Sequence, residues 1–230
     1  VRVSKRAKRV LLRVAPGQGL EVVVPQDFDS ANIPAILLKH QAWIARQLNR
    51  CESAAAPGEE GFRLPESIEL RAQRITVTVS YHPNGEERSW RLTEHGPEDI
   101  EVAGNLENLE ACAALLQNWL KRRAGFHLVR NLEELSAQTG LGYRSTQIRG
   151  QKSRWGSCST RGTISLNWKL MFMPPELVRY ILIHELCHTV HLNHSARFWD
   201  LVRRHEPDFH YLDTQLRKAR ELVPPWADWS

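Results

Sequence analysis

The residues with the clearest chemical potential are His184-Glu185-Leu186-Cys187-His188. They lie in an apolar stretch opened by Pro174-Pro175, and proline suits the first turn of a helix. The spacing predicts a helix from Glu176 to about His191. Histidines at i and i+4 then share one face, a turn apart. Two imidazole nitrogens can therefore reach one zinc ion at about 2.0–2.1 Å. Glu185 follows the first of them directly. From there it sits near the metal without binding it and can take the proton of a zinc-bound water.

A catalytic zinc needs a third protein ligand and one open position. His194 lies six residues beyond His188, which completes H-E-x-x-H-x5-H. Metzincins share that ligand spacing, but they carry glycine where this chain has His191, and no Met-turn is visible here. The turn between the ligands is expected near Asn193, because asparagine tolerates left-handed backbone. Ser195 would then cap the next helix. Cys187 points off the ligand face and reads as a small buried hydrophobe. His191 reads as a supporting or surface group. Ile181, Leu182, Val190 and Leu192 are expected to form the helix's apolar face. Tyr211, His205 and His210 are candidates to hydrogen-bond a reacting oxyanion.

These residues need a frame. Residues 9–14 and 20–24 are β-rich and flank Pro16-Gly17-Gln18-Gly19, which predicts a hairpin. Ser30 or Asn32 would cap a helix bearing Ile33, Ile36, Leu37, Trp43, Ile44 and Leu48. Ser53–Gly61 is a loop. Strands are expected at Ser67–Leu70, Arg74–Tyr81, Ser89–Thr93 and Ile100–Val102, with a hairpin turn at Asn84-Gly85. A helix capped by Asn105 follows, its apolar side running through Leu109, Leu116, Leu120, Phe126, Leu128 and Leu132 to Gly140. Two short strands, Ser145–Arg149 and Thr163–Leu166, precede the motif helix. Helices at about Ser195–Arg204 and Asp208–Leu222 follow it. The reading is an α+β protein: a β-rich N-terminal module with one inserted helix (1–103), then a linker helix and a zincin-like metallohydrolase domain (104–230).

Composition narrows the class. The chain has 230 residues, 42% hydrophobic and 25% charged, which fits a globular protein and excludes a disordered chain or a coiled-coil rod. No run approaches the roughly 20 apolar residues of a membrane span. The four cysteines form no CxxC pair, and the N-terminus shows no secretory signal, so a reducing cytoplasm is expected. The net charge is +5, but it is uneven: residues 1–13 carry six Lys/Arg and no acid, whereas residues 51–110 carry thirteen acids against five bases. Such basic patches are either solvated faces or weak contacts for nucleic acid.

The run Arg154-Trp155-Gly156-Ser157-Cys158-Ser159, then Ile164-Ser165-Leu166-Asn167, Tyr180, the His184–His188 motif, Asn193-His194-Ser195 and Phe198-Trp199 resembles the YgjP-like metallopeptidase family. SprT-like zincins are its broader kin. Ser4–Arg9, Val24-Pro25 and Trp43-Ile44 resemble the family's opening. The resemblance implies a compact zincin domain, a Zn²⁺ held by His184, His188 and His194, and Glu185 as general base. It also implies that Trp155 and Asn167 support the site.

In the mechanism that follows, an extended peptide adds to Thr163–Leu166 as an edge strand. Zinc polarises the scissile carbonyl, Glu185 shuttles the proton to the leaving amine, and Arg154 is a candidate to steady substrate or oxyanion. Other divalent ions also suit a three-histidine site. Metal-activated water attacks phosphorus as well as carbon. A nucleoside triphosphate pyrophosphatase or phosphohydrolase, served by Arg149, Lys152, Arg154 and Arg161, is therefore an alternative. A nucleic-acid-associated SprT-like protease is another. A binding module with a structural zinc is disfavoured, because structural sites are normally closed by four protein ligands.

Overall fold

β-Branched residues near the N-terminus pair the chain with itself. β1 (Arg2–Val3), β2 (Leu11–Ala15) and β3 (Gly19–Val24) form a sheet in the order β1-β3-β2, with β2 antiparallel and β1 parallel to β3. The structure, a computed structural model, describes residues 1–4, 9–15, 19–41, 44–45, 63–83 and 90–228. The expected turn at Pro16-Gly17-Gln18, the basic run Lys5–Lys8, Trp43, Leu48, Cys51, the 53–61 loop, the Asn84-Gly85 turn and Ser89 lie outside them. A 3₁₀ turn at Ser30–Asn32 leads into α1 (Ile33–Lys39). Asp29 caps the 3₁₀ turn, its carboxylate accepting the Ala31 N–H at 3.0 Å, and Asn32 occupies the cap of α1 as expected, though without a side-chain capping bond.

The chain divides into compact units of residues 1–62 and 63–230. The strands of residues 67–104 therefore belong to the same unit as the histidine motif, whereas the sequence grouped them with the N-terminal hairpin. In this second unit β4 (Ser67–Leu70), β5 (Ile75–Pro83), β6 (Arg91–Glu94) and β7 (Asp99–Gly104) form a sheet in the order β4-β5-β7-β6. β5 does not pair with β6 as the expected hairpin required. β7 inserts between them, parallel to β5 and antiparallel to β6. Ile68, Leu70, Val77, Val79, Ile100 and Val102 are buried, the period-two pattern of a sheet with one face inward.

The longest element is α2 (Leu109–Thr139), 31 residues and roughly 46 Å at 1.5 Å per residue. Asn108 caps it by accepting the Ala111 N–H at 3.0 Å; Asn105 instead accepts the Glu107 N–H, one turn outside the helix. Gly140, with φ 72°, stops it in the left-handed conformation. Cys112, Leu116, Trp119, Leu120, Leu128 and Leu132 are fully buried. Phe126 is not on this stripe: it lies two residues from both Ala124 and Leu128 and points outward, 83% exposed.

A second sheet carries the site. β8 (Ser145–Arg149), β9 (Gly156–Cys158) and β10 (Thr163–Asn167) lie in the order β8-β10-β9, with β8 parallel and β9 antiparallel to β10. The expected edge strand, Thr163–Leu166, is thus the centre of its sheet. The edges are β8 and β9, the latter a Gly-Ser-Cys strand with too little hydrophobicity to announce itself. A buried 3₁₀ segment, Trp168–Phe172, then leads to α3 (Pro175–Cys187). α4 (Ala196–His205), α5 (Phe209–Leu216), a 3₁₀ turn at Ala219–Leu222 and α6 (Pro225–Asp228) complete the unit. No helix among the described residues is long and apolar enough to cross a membrane.

Candidate metal centre

α3 owes its place to its apolar residues. Leu177, Val178, Ile181, Leu182, Ile183 and Leu186 are all buried. That burial fixes the rotation of the helix and directs His184 and His188 to one side. Their Nε2 atoms stand 3.2 Å apart, and His194 Nε2 stands 3.1 Å from His184 Nε2. One ligand atom from each of the three lies within 4.8 Å of the others. Around a tetrahedral ion with metal–nitrogen bonds of 2.0–2.1 Å, two ligand atoms lie roughly 3.3 Å apart. The observed separations are close to that value, so the donor set fits a divalent metal.

The loop that returns His194 is built without a left-handed residue. Arg74 is the sole non-glycine residue with positive φ among the described residues, so Asn193 does not play the expected part. The helix instead unwinds through backbone bonds from Val190 and His191 to the Cys187 carbonyl, and through the Thr189 hydroxyl, which donates to Leu186 O at 2.7 Å. His191 contributes its carbonyl rather than its ring. That oxygen lies 2.9 Å from His188 Nδ1, which fixes the Nδ1–H tautomer and leaves Nε2 free to bind. Ser195 occupies the cap of α4, but its hydroxyl makes no capping bond. With the helix ended at His188, Val190 and Leu192 leave the apolar face and are 54% and 59% exposed.

Phe198 holds the imidazoles in place. It is fully buried, stacks on His188 with centroids 4.4 Å apart, and meets the rings of His184 and His194 edge-on at 4.9 Å. Trp199 lies against His184 and His194 and stacks on Phe209. Burial, followed by the neighbouring His188 and His194, holds His184 down at about 3, so its ring is neutral and ready to donate a lone pair. Burial lowers His188 as well. Cys187, between the ligands, is buried and pushed up to about 12 by desolvation; it stays a thiol within the core.

Glu185 is 5% exposed, and its Oε2 has no hydrogen-bond partner. Burial pushes its carboxyl up to about 8, against the pull of Arg154. An orphaned buried carboxylate oxygen next to three converging imidazoles is the setting a metal-activated water requires. Gly156 makes the room for it: a β-carbon there would lie 2.6 Å from Glu185 Oε1.

Beside Glu185 opens a cavity of about 220 Å³ lined by Arg154, Trp155, Tyr180, Ile181, Asp213 and Leu216. Arg154 and Trp155 thus line the same cavity as His184 and Glu185. Asn167 acts one step behind them. It is fully buried; its amide donates to Gln151 O and Arg154 O, each at 2.8 Å, and its Oδ1 accepts the Lys169 N–H. It pins the loop that presents Arg154 and Trp155. The same loop is held from the other side by Arg220, which donates to Lys152 O and lies over the Trp155 ring at 5.8 Å. Asp228 binds the buried Lys169 ammonium and lies 3.6 Å from Arg220. Tyr211 is 65% exposed and does not line the cavity. His205 and His210 do not line it either; His210 packs on Phe209. Larger cavities, such as one of about 320 Å³ near Asn131 and Glu176, touch none of the three imidazoles.

Sequence reasoning missed Gly156 as the wall behind Glu185, and it gave no role to Phe198, Tyr180 or Asp213. A glycine flanked by Trp and Ser was the one available signal for the first. The rest depend on which helix follows which, and spacing does not encode that.

An α+β scaffold that gathers three imidazoles, with a buried carboxylate next in sequence to one of them, is compatible with a metal-binding hydrolase. The comparisons make the class specific: residues 8–219 match the family described as YgjP-like, metallopeptidase domain, and the chain belongs to that family. No curated protein matches the chain. Among solved structures it is similar to the metallopeptidase zymogen abylysin of Pyrococcus abyssi, at 26% identity and TM-score 0.38, covering 41% of this chain and 95% of that one. It is also similar to the metallopeptidase zymogen jannalysin of Methanocaldococcus jannaschii, at 20% identity and TM-score 0.36, covering 40% of this chain and 94% of that one.

Proposed function

We propose that this chain is a zinc-dependent peptidase in which His184, His188 and His194 hold the metal and Glu185 is the general base. The observation that carries the reading is the convergence of three Nε2 atoms beside the unpaired, buried Glu185 Oε2. Bound zinc supplies a Lewis acid that polarises the scissile carbonyl and lowers the pKa of water. Glu185 takes the proton of the attacking water at Oε2 and delivers it to the leaving amine. Arg154, next to Glu185, favours the ionised carboxylate that this role needs. The free edge of β9 offers backbone groups to an extended peptide, and Gly156 on that edge adjoins Glu185. The family supports a peptide or protein substrate; it lends nothing to the nucleotide or nucleic-acid readings.

The test is cleavage of unstructured protein and peptide libraries by zinc-loaded protein, with Glu185→Gln as control. Cleavage that needs Glu185 is expected. Absence of cleavage by protein carrying stoichiometric zinc would overturn the peptidase reading.

A further inference from the structure

We propose that the cavity beside Glu185 is a subsite for a basic side chain of the substrate, with Asp213 as its specificity-determining residue; this rests on the peptidase reading above. The cavity, about 220 Å³, is large enough for one long side chain and shares His184 and Glu185 with the metal centre. A side chain entering it belongs to a residue flanking the scissile bond. Trp155, Ile181 and Leu216 supply apolar wall, which suits the methylene stem of lysine or arginine.

The polar end is Asp213. Its Oδ1 faces the buried Tyr180 hydroxyl at 3.5 Å, and its Oδ2 accepts from Arg217 at 3.2 Å. A carboxylate offers about four acceptor positions, so capacity remains on the cavity side. Arg217 is no obstacle. It sits four residues along the same helix surface with its side chain 78% exposed, and such pairs are worth little and exchange readily. Its guanidinium shows instead what this carboxylate binds. Tyr180 is 1% exposed, so burial fixes the position of the hydroxyl that faces Asp213. Arg154 also lines the cavity, but its charge acts on Glu185.

The test is binding rather than turnover. Zinc-loaded Glu185→Gln protein is titrated with fluorescent hexapeptides carrying Arg, Lys, Leu or Glu at one or other central position. The basic peptides are expected to bind at least about tenfold tighter than the Leu or Glu peptides, the size of one charge-assisted hydrogen bond. Adding Asp213→Asn should remove that difference while leaving Leu-peptide binding and zinc content unchanged. Adding Asp213→Glu should keep it. Equal binding of all peptides, or a basic preference that survives Asp213→Asn, overturns the subsite and leaves the peptidase reading standing. Binding of no peptide by the zinc-loaded protein removes both.

Discussion

The carboxylate of Glu185 rests against the backbone of Gly156: a β-carbon added to that glycine would lie 2.6 Å from Oε1, 2.7 Å from Cγ and 2.9 Å from Cδ. The motif helix and edge strand β9 are therefore in contact through the one residue type small enough to permit it. Gly156 has no positive φ, so the constraint is steric rather than conformational. Gly156→Ala is expected to push Glu185 off its position and lower kcat at least about a hundredfold, since misplacing a reacting group by about an ångström costs that much. Stability should fall by about 1–3 kcal/mol from overpacking. Metal content, measured by elemental analysis, should be unchanged. Full activity in this variant would show that Glu185 is not the base.

Glu185→Gln should bind metal as the parent does and lose turnover by a factor of roughly 10²–10⁴, the contribution of a positioned base. Single-turnover assays with equal metal loading check this.

The pH dependence of the metal-free protein follows from shifts of opposite sign, Glu185 raised and His184 lowered together with His188, His127 and His205. Glu185 is raised from 4.5 to about 8, so the folded state holds an extra proton between those values and stability declines as pH rises. His184 is lowered from 6.5 to about 3, so below 6.5 the unfolded state holds the extra proton and stability climbs with pH. The histidines oppose Glu185 up to pH 6.5, and above it Glu185 acts alone. Metal-free protein should therefore lose about 2 kcal/mol between pH 6.5 and 8, as judged by denaturant unfolding. Glu185→Gln should abolish that decline; an unchanged slope would place the titration elsewhere.

His188→Ala should lose the metal outright, and stoichiometric zinc in that variant would refute its assignment as a ligand. Phe198→Ala separates support from ligation. It removes a fully buried ring that touches all three imidazoles, so a loss of about 3–5 kcal/mol is expected. Metal affinity should fall about 10–100-fold rather than vanish. Competition with a chromophoric chelator measures it.

Asn167→Ala removes the amide that holds Gln151 O and Arg154 O. It should cost about 2–3 kcal/mol in buried, unpaired carbonyls. Because the loop bearing Arg154 and Trp155 would loosen, KM should rise more than kcat falls, with metal content intact.

Much of this was legible in the chain because local rules carry it. Two histidines four apart in an apolar run must share a helix face, and β3 and β5 stand where β-branched residues cluster. What stayed hidden depends on distant partners. The insertion of β7 between β5 and β6 is a matter of topology, and no turn residue announces it. β9 is three small residues held by the strand beside them and by the motif helix. Asn193 looked like the natural hinge, yet the chain turns through backbone hydrogen bonds to Leu186 and Cys187 that any residue but proline could make, helped by the Thr189 hydroxyl. Phe126 fitted a helical period by composition, although its angle on α2 takes it away from Ala124 and Leu128. Asp213, 25 residues beyond His188 and two helices further on, had no pattern to give it away.

The clasp formed by Lys169, Asp228 and Arg220 carries a consequence for how the molecule is made. The ligands are complete once His194 has been synthesised. The brace on the 152–155 loop comes from residues 220 and 228 and forms only after them. A growing chain therefore holds all its metal-binding groups before the contacts that fix the 152–155 loop can form.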